Sequence, residues 1–308
     1  MDAIEKDLLL KIADLHGVPE GAYNIRDNGE SAGRRSTANI EIVPKTDTNQ
    51  GIDVIVKPGT KNESVHIPVI ISKAGYQELV YNDFYIGEDA DVVIVAGCGI
   101  HNCGGAEITS RHDGIHTFHV GKNAKIKYVE RHYGEGDGNG ENVMNPTTVV
   151  HLDEGASMEM ESTQIKGIDS TNRVTKADLK KDASFVVKEK IYTHGKQIAD
   201  TLFVVDINGE GCKADIVSRS VAAGNSKQNF LSTMNGNAPC KGHSECDAII
   251  VDEAVVTAAP TLTANHIDAE LIHEAAIGKI AGEQLVKLMT LGLSEKEAEE
   301  QIIKGFLH

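Results

Sequence analysis

The stretch from Gly242 to Glu274, GHSECDAIIVDEAVVTAAPTLTANHIDAELIHE, gathers the residues with most chemical use: a thiol at Cys246, two short apolar runs, then His273 and Glu274. Cysteine, histidine and glutamate make a usable set of iron ligands, and thiolate selects iron–sulfur clusters or zinc over hard cations. The 27 and 28 residues between Cys246 and His273 or Glu274 matter only if the fold carries the chain back to its starting edge. A second group lies in VIVAGCGIHNCGG, where Cys98 and Cys103 flank His101. A reactive thiol needs exposure and a depressed pKa, which a nearby imidazolium can supply. The spacing of Cys98 and Cys103 is not that of a zinc ribbon, so no local structural metal site is expected and Cys103 reads as an inert, half-buried cysteine. In SRHDGIHTFHVG, His116 and Phe118 share a strand face while His119 lies on the other. His112, His116 and His119 therefore read as satisfied structural histidines rather than one compact triad.

These groups need elements to position them. Residues 1–16 predict an amphipathic helix with Ile4, Leu8, Ile12 and Leu15 on one face, stopped by Gly17 and Pro19. Residues 20–39 read as a polar linker without periodicity. From Ile40 to about Thr263 the chain becomes short β-type runs punctuated by Gly, Pro, Asn and Asp. After Glu274 the pattern turns helical in AAIGKIAGEQLVKLMTLG. In LSEKEAEEQIIKGFLH, Ser294 and Glu297 form a capping box ahead of an Ala298, Ile302, Phe306 stripe. The expected division is an N-terminal helix and linker (1–39), a β core (40–265) and a C-terminal helical region (266–308).

Within the β core a turn of the form apolar–(Gly or Asp)–x–x–Ala recurs, as in IGEDADVVIV, VGKNAKIKYV and LDEGASMEME. Its alanines are Ala90, Ala124, Ala156, Ala183 and, more loosely, Ala254, with further copies hidden in the last gap. Self-similarity at this period marks a solenoid. The expected architecture is mainly β, a parallel β-helix of stacked coils; a large sandwich with similar turns is the alternative. Counting from each alanine, the second and fourth residues are apolar: Val92 and Ile94, Ile126 and Tyr128, Met158 and Met160, Phe185 and Val187. This parity faces inward. The sixth is Ala96, Glu130, Ser162, Glu189, and the eighth is Cys98, His132, Gln164, Ile191. The interior is therefore expected to become polar at one end of each strand, in register, beginning at Cys98. If bulges reset the parity after the fourth residue, these groups face water instead.

Composition narrows the function classes. The 308 residues are 40% hydrophobic but only 4% aromatic with no Trp, so the core is aliphatic; the formal net charge is -16. Such a surface disfavours general nucleic-acid or anionic-membrane binding and suits a cationic protein partner. No apolar run approaches membrane-spanning length, the acidic opening helix is not a signal peptide, and five cysteines without an export signal read as cytoplasmic thiols.

The segments ECDAII, HGKQIADT, VSRSVA, GNAPCKGHSECD and LIHEAAIGKI, followed by the two C-terminal helices, resemble the core of the SufB and SufD proteins, scaffolds of the SUF iron–sulfur assembly system. The resemblance covers nearly all of residues 30–308, in the compact form of minimal SUF-like systems. It implies a right-handed parallel β-helix with helical ends, and a SufC-type ABC ATPase bound to the C-terminal helices. It implies that Cys246, His273 and Glu274 hold the nascent cluster, with one chain carrying both subunits' ligands and hence working as a homodimer. Cys98 corresponds to the persulfide acceptor, and Gln164 and Lys176 to residues of the sulfur passage, although simple alternation does not turn Lys176 inward. Lys166 stands where the family has an aromatic, and Cys103, Cys212 and Cys240 inherit no role. The chain would then be a scaffold rather than an enzyme. Its cluster would be transient, supplied by a cysteine-derived sulfur donor and passed to apo-protein acceptors. ATP would sit on the partner, since no Walker A motif is present, and a flavin is left open. The competing classes are a β-helix carbohydrate-active enzyme and a purely structural docking subunit for an ATPase.

Overall fold

In the computed structural model, which describes residues 2–46 and 50–307, the chain winds alternately between two ten-stranded sheets. From Ser157–Lys166 onward each coil sends one strand to each sheet. Ser157–Lys166, Ser184–Thr193, Lys213–Ala222, Cys240–Ile250 and Ala269–Lys279 stack in the first sheet. Ser170–Leu179, Ile198–Ile207, Lys227–Gly236 and Val255–Ala264 stack in the second. Pairing is parallel except for two hairpins at the N-terminal end. The architecture is the expected mainly-β helix flanked by an N-terminal helix and C-terminal helices.

The turn alanines behave as the repeat requires. Ala90, Ala124, Ala156 and Ala183 are at most 1% exposed. Each follows a residue in the left-handed region: Asp89, Asn123, Gly155 and Asp182, at φ between 55° and 69°. The hidden copies are Cys212 and Cys240, and Ala269 continues the stack beyond the gap; the three precede the register partners Lys213, Lys241 and Glu270. Two of the cysteines without an inherited role thus fill a slot that asks for a small apolar side chain. Ala254 belongs to the other sheet, in a turn stack with Gln197 and Ser226. Residue type alone could not separate the two stacks.

Three expected boundaries move. The segment read as a linker holds a hairpin, Ala22–Asp27 with Glu30–Arg35, turned by Asn28 and Gly29 at φ 48° and 84°. Asn–Gly is a strong signal for such a turn. The first helix, Ala3–Ala13, stops before Gly17 because Asp14 takes a left-handed conformation, with its N–H bonded back to Leu10. It buries Leu8, Leu9, Ile12 and Ala13, whereas Ile4 is 37% exposed. The run after Glu274 is strand as far as Lys279, and the helix spans Gly282–Met289. Pairing with Cys240–Ile250 along one edge holds it extended and overrides the helical propensity of AAIGKI. The capping box forms as expected, with the Ser294 N–H donating to Glu297 at 2.8 Å, and the last helix, Glu295–Leu307, packs on strand Lys213–Ala222.

The N-terminal helix lies against the outer face of strand Asp91–Asn102. A Cβ on Gly97 would come within 3.0 Å of the Ile12 carbonyl, and one on Gly99 within 3.1 Å of Leu8. At the opposite end, strands Val255–Ala264 and Ala269–Lys279 carry no further strand among the described residues.

Because the turn slots are tight, Ala156→Leu is expected to lower stability by about 1–3 kcal/mol through overpacking. Lys125→Gln on the exposed face of the preceding coil should stay within about 0.5 kcal/mol. Urea unfolding midpoints compare the two.

Candidate functional site

Parity persists along the whole strand, so the polar groups enter the interior. In the sixth position Ala96, Glu130, Ser162, Glu189, Ser218, Cys246 and Ala275 stack in register. In the eighth, the stack is Cys98, His132, Gln164, Ile191, Ser220, Ala248 and Ile277. Cys98, Gln164 and Cys246 are each 1% exposed. The two chemically distinctive cysteines therefore lie on adjacent internal columns, Cys98 in the eighth position and Cys246 in the sixth, several coils apart.

The second sheet completes this interior with a residue that the sequence reading passed over. Arg173, 1% exposed, reaches across from strand Ser170–Leu179. Its guanidinium donates to Glu130 at 2.9 Å, to Ser162 Oγ at 2.5 Å, to His132 Nδ1 at 3.1 Å and to Gln164 Oε1 at 3.4 Å. Its Nε lies 3.4 Å from Glu189. The alternation that placed Glu130 inward also places Arg173 inward; the signal was there, in RVTK, one dyad step and a half from the lysine singled out. Lys176 itself is on the exposed outer face, because it has the opposite parity from Arg173. Gln164 does face the interior.

The hydrogen bonds fix protonation states. A guanidinium cannot accept, so Nδ1 of His132 must, leaving a neutral imidazole with its proton on Nε2. Burial likewise pushes His132 down. Tyr128 donates to Glu130 at 2.9 Å and receives His116 Nδ1–H at 2.7 Å, while Asn82 donates to His116 Nε2 at 3.1 Å. Burial pushes His116 down to about 4. Desolvation pushes Glu130 up, but His132 and the Arg173 guanidinium outweigh it and hold the carboxyl below its usual range. For Glu189 desolvation prevails and pushes it up, against Arg173, Ser218 and Thr201. Arg173 thus sits between one firmly ionised carboxylate and one more readily protonated.

A small cavity adjoins each thiol. One, of about 10 Å³, is lined by Cys98, His112, His116, Glu130 and His132 among others. The other, also about 10 Å³, is lined by Cys246, Ser218, Ser220, Gln228 and Glu189 among others. Each is at the size where a single water-sized particle begins to fit. Burial pushes both thiols up, Cys98 well above the ordinary range and Cys246 to about 12, so each is a neutral thiol until a proton leaves.

The final coil returns the chain as the spacing required, but its side chains divide between two faces. His273 is the register partner of Ser244, so it shares the inner face with Cys246, one dyad step away. Both ring nitrogens of His273 are buried without a hydrogen-bond partner, which suits an imidazole meant for a ligand not yet bound. Glu274 is the register partner of Glu245 and points outward. There it meets His243 and Glu245, with one donor atom of each within 4.8 Å of the others. Nδ1 of His243 is 2.8 Å from Asp215. Cys246 and His273 share the inner face on adjacent strands, and Glu274 lies across the sheet from them.

Residues 78–306 match the family model for the SUF system FeS cluster assembly SufBD core domain. The chain belongs to the SufBD family. An iron–sulfur cluster assembly SufBD family protein of Methanocaldococcus jannaschii is 33% identical over 82% of this chain and 79% of its own length. One from Archaeoglobus fulgidus is 31% identical over 81% of this chain, and one from Methanothermobacter thermautotrophicus 28% over 82%. The matches span 66% and 60% of those two longer proteins. The role of this SufBD chain lies in iron–sulfur cluster assembly. No helix among the described residues is long and apolar enough to cross a membrane.

Removing the guanidinium strands buried charge. Arg173→Met should destabilise this SufBD core by about 3–5 kcal/mol, and adding Glu130→Gln should recover part of that loss, as read in urea. His116 supplies a pH dependence. Its folded pKa lies below the ordinary 6.5, so its contribution is complete above that value. It is lost as pH falls toward about 4, because the unfolded chain takes up the proton first. That amounts to about 3 kcal/mol, and His116→Gln should flatten the stability profile across this window.

Proposed function

We propose that this chain is a scaffold on which iron–sulfur clusters are built. It works as a homodimer in the cytoplasm with a SufC-type ABC ATPase and turns over no substrate itself. The observation that carries the reading is the polar band formed by the sixth and eighth positions together, which begins at Cys98 and His132 and continues through Glu130, Ser162, Glu189 and Ser218 to Cys246. Burying charged and polar groups costs several kcal/mol unless each is paired, and here Arg173, Glu130, Glu189 and His132 pair with one another over several coils. A fold needing only stability would use aliphatic residues at those positions, as it does at the second and fourth.

In this reading sulfur is held as a persulfide on Cys98 and passes along the column, past Gln164 and Arg173, to Cys246. Lys176 has no place on an internal route, and the cation of the passage is Arg173. The neutral imidazoles of His132 and His116 border the Cys98 cavity, their lone pairs already held by Arg173 and Asn82. Cys246 and His273 supply a thiol and an imidazole on the inner face of the last coil. Glu274, with His243 and Glu245 on the outer face, supplies oxygen and nitrogen donors beside them for incoming iron. The cluster is cargo, to be released to apo-protein acceptors, and mixed ligation holds it less firmly than four thiolates would.

The open end of the solenoid supports the homodimer. Its last coil exposes Ile267 at 95%, Ile272 at 55% and Val255 at 49%, beside unpaired strand edges. Such an edge is normally covered, and a second copy would cover it while bringing two sets of ligands together. The C-terminal helices and the turn between them, with Val286 at 59% and Leu291 at 78% exposed, offer an apolar face for the ATPase. All five cysteines are free, which suits a reducing compartment.

The test is anaerobic reconstitution with iron and sulfide, reading the visible charge-transfer bands of the chain with its ATPase. Cys246→Ser should lose them. Equal bands in both proteins would leave only a docking role. Ile272→Glu should convert a dimer to monomers in sedimentation, since it places charge on the open edge.

A further inference from the structure

Cys98, 1% exposed, is poorly placed to meet a donor molecule. Its strand ends at Asn102, and the next residue, Cys103, is an exposed thiol. The Cys103 sulfur lies 3.1 Å from His101 Nε2, and His101 Nδ1 lies 3.0 Å from Glu135 Oε1. His101 and Glu135 are register partners on adjacent strands, so the imidazole–carboxylate pair is set by the ladder itself. The other oxygen of Glu135 accepts from Lys11 Nζ at 3.0 Å and from the Tyr133 hydroxyl at 3.1 Å. Lys11 also stands 4.4 Å from the centre of the Tyr133 ring. Desolvation pushes Glu135 up, but the hydrogen bonds from Lys11 and His101 outweigh it and keep the carboxylate ionised. The N-terminal helix, through Lys11, thus fixes the group that orients the imidazole. A nucleophile, a base within hydrogen-bond reach and a third group aligning the base make up the arrangement of an activated nucleophile. The expectation of an inert, half-buried Cys103 does not hold here: the side chain is exposed and paired with a histidine.

We propose that Cys103 is the thiol that takes sulfane sulfur from a persulfide donor at the protein surface, with His101 as its general base and Glu135 as the positioning residue. The inference rests on the sulfur-handling reading above and moves the first contact with the donor outward from Cys98. In the exchange, Cys103 attacks the terminal sulfur of a donor R–S–S–H. A bond forms between the Cys103 sulfur and that atom, the donor's S–S bond breaks, and the pair leaves with R–S⁻. His101 takes the proton of the Cys103 thiol and returns one to the departing thiolate. The products are a Cys103 persulfide and a donor thiol, with no net oxidation and no further reactant.

The experiment treats the full chain anaerobically with glutathione persulfide, alkylates it after timed intervals and maps the added sulfur by peptide mass spectrometry. Wild type, Cys98→Ser and Cys246→Ser should acquire sulfur on the Cys103 peptide at one common rate. Cys103→Ser should take up sulfur at least about tenfold more slowly, and His101→Ala should slow uptake on Cys103 by about 100-fold or more, with free imidazole in the buffer restoring part of the rate. Glu135→Gln should slow it less. Uptake on Cys98 at the wild-type rate in Cys103→Ser overturns the proposal, as does an unchanged rate in His101→Ala. Reconstitution with inorganic sulfide bypasses Cys103 and keeps the two readings apart. Cys103→Ser that builds cluster from sulfide but not from the persulfide supports both. Wild type that loads Cys103 yet builds no cluster supports this proposal and overturns the scaffold alone.

Discussion

Each coil of the β-helix is hydrogen-bonded to the next in a register that does not slip over most of the first sheet, and everything else follows from that. Parallel ladders with a two-residue side-chain period force residues at one height in successive strands to share an environment. A single polar residue on the inner parity would be a defect. The same substitution in consecutive coils becomes a column whose members can satisfy one another. Glu130, Ser162, Glu189 and Ser218 are tolerable because they are stacked, and because Arg173 crosses from the opposite sheet to bind several of them at once.

The column divides each strand into two halves with different duties. Near the turn, Met158, Met160, Phe185 and Val187 pack an ordinary aliphatic core with buried small residues behind them. Farther along, packing gives way to hydrogen bonds. Replacing such a network with apolar residues of like volume is often neutral or stabilising, so persistence of the network over several coils favours use over stability. The cost is contained by keeping the histidines neutral and the guanidinium between two carboxyls of unequal acidity.

Parity also separates chemistry that sequence proximity would merge. His273 and Glu274 are adjacent in the chain, yet one faces Cys246 and the other faces His243 and Glu245 across the sheet. A soft donor set inside and a hard-to-intermediate set outside, a single strand apart, is an arrangement suited to bringing sulfur and iron from different directions. On the far coils the same rule sends Cys98 inward and Cys103 outward, one fully buried and the other exposed and paired with an imidazole.

The alternation and the recurring turn alanine were enough, by themselves, to determine the β-helix and the inward parity of Cys98, Glu130, His132 and Gln164. These are local properties, since the direction of a side chain on a strand depends only on its count from the turn. The family resemblance singled out Cys246 and His273, which share the inner face of the last two coils of the first sheet. What the tertiary structure alone decided is who meets whom between coils and across sheets: Arg173 with Glu130, His101 with Glu135, Glu274 with His243 rather than with the thiol. Those meetings depend on turn lengths and on the offset between the two sheets, and residues some 30 positions apart carry no mark of that offset in their order. The hairpin at Asn28–Gly29 was legible and overlooked. The strand reaching Lys279 was not, because its backbone partners, rather than its own residue preferences, hold it extended.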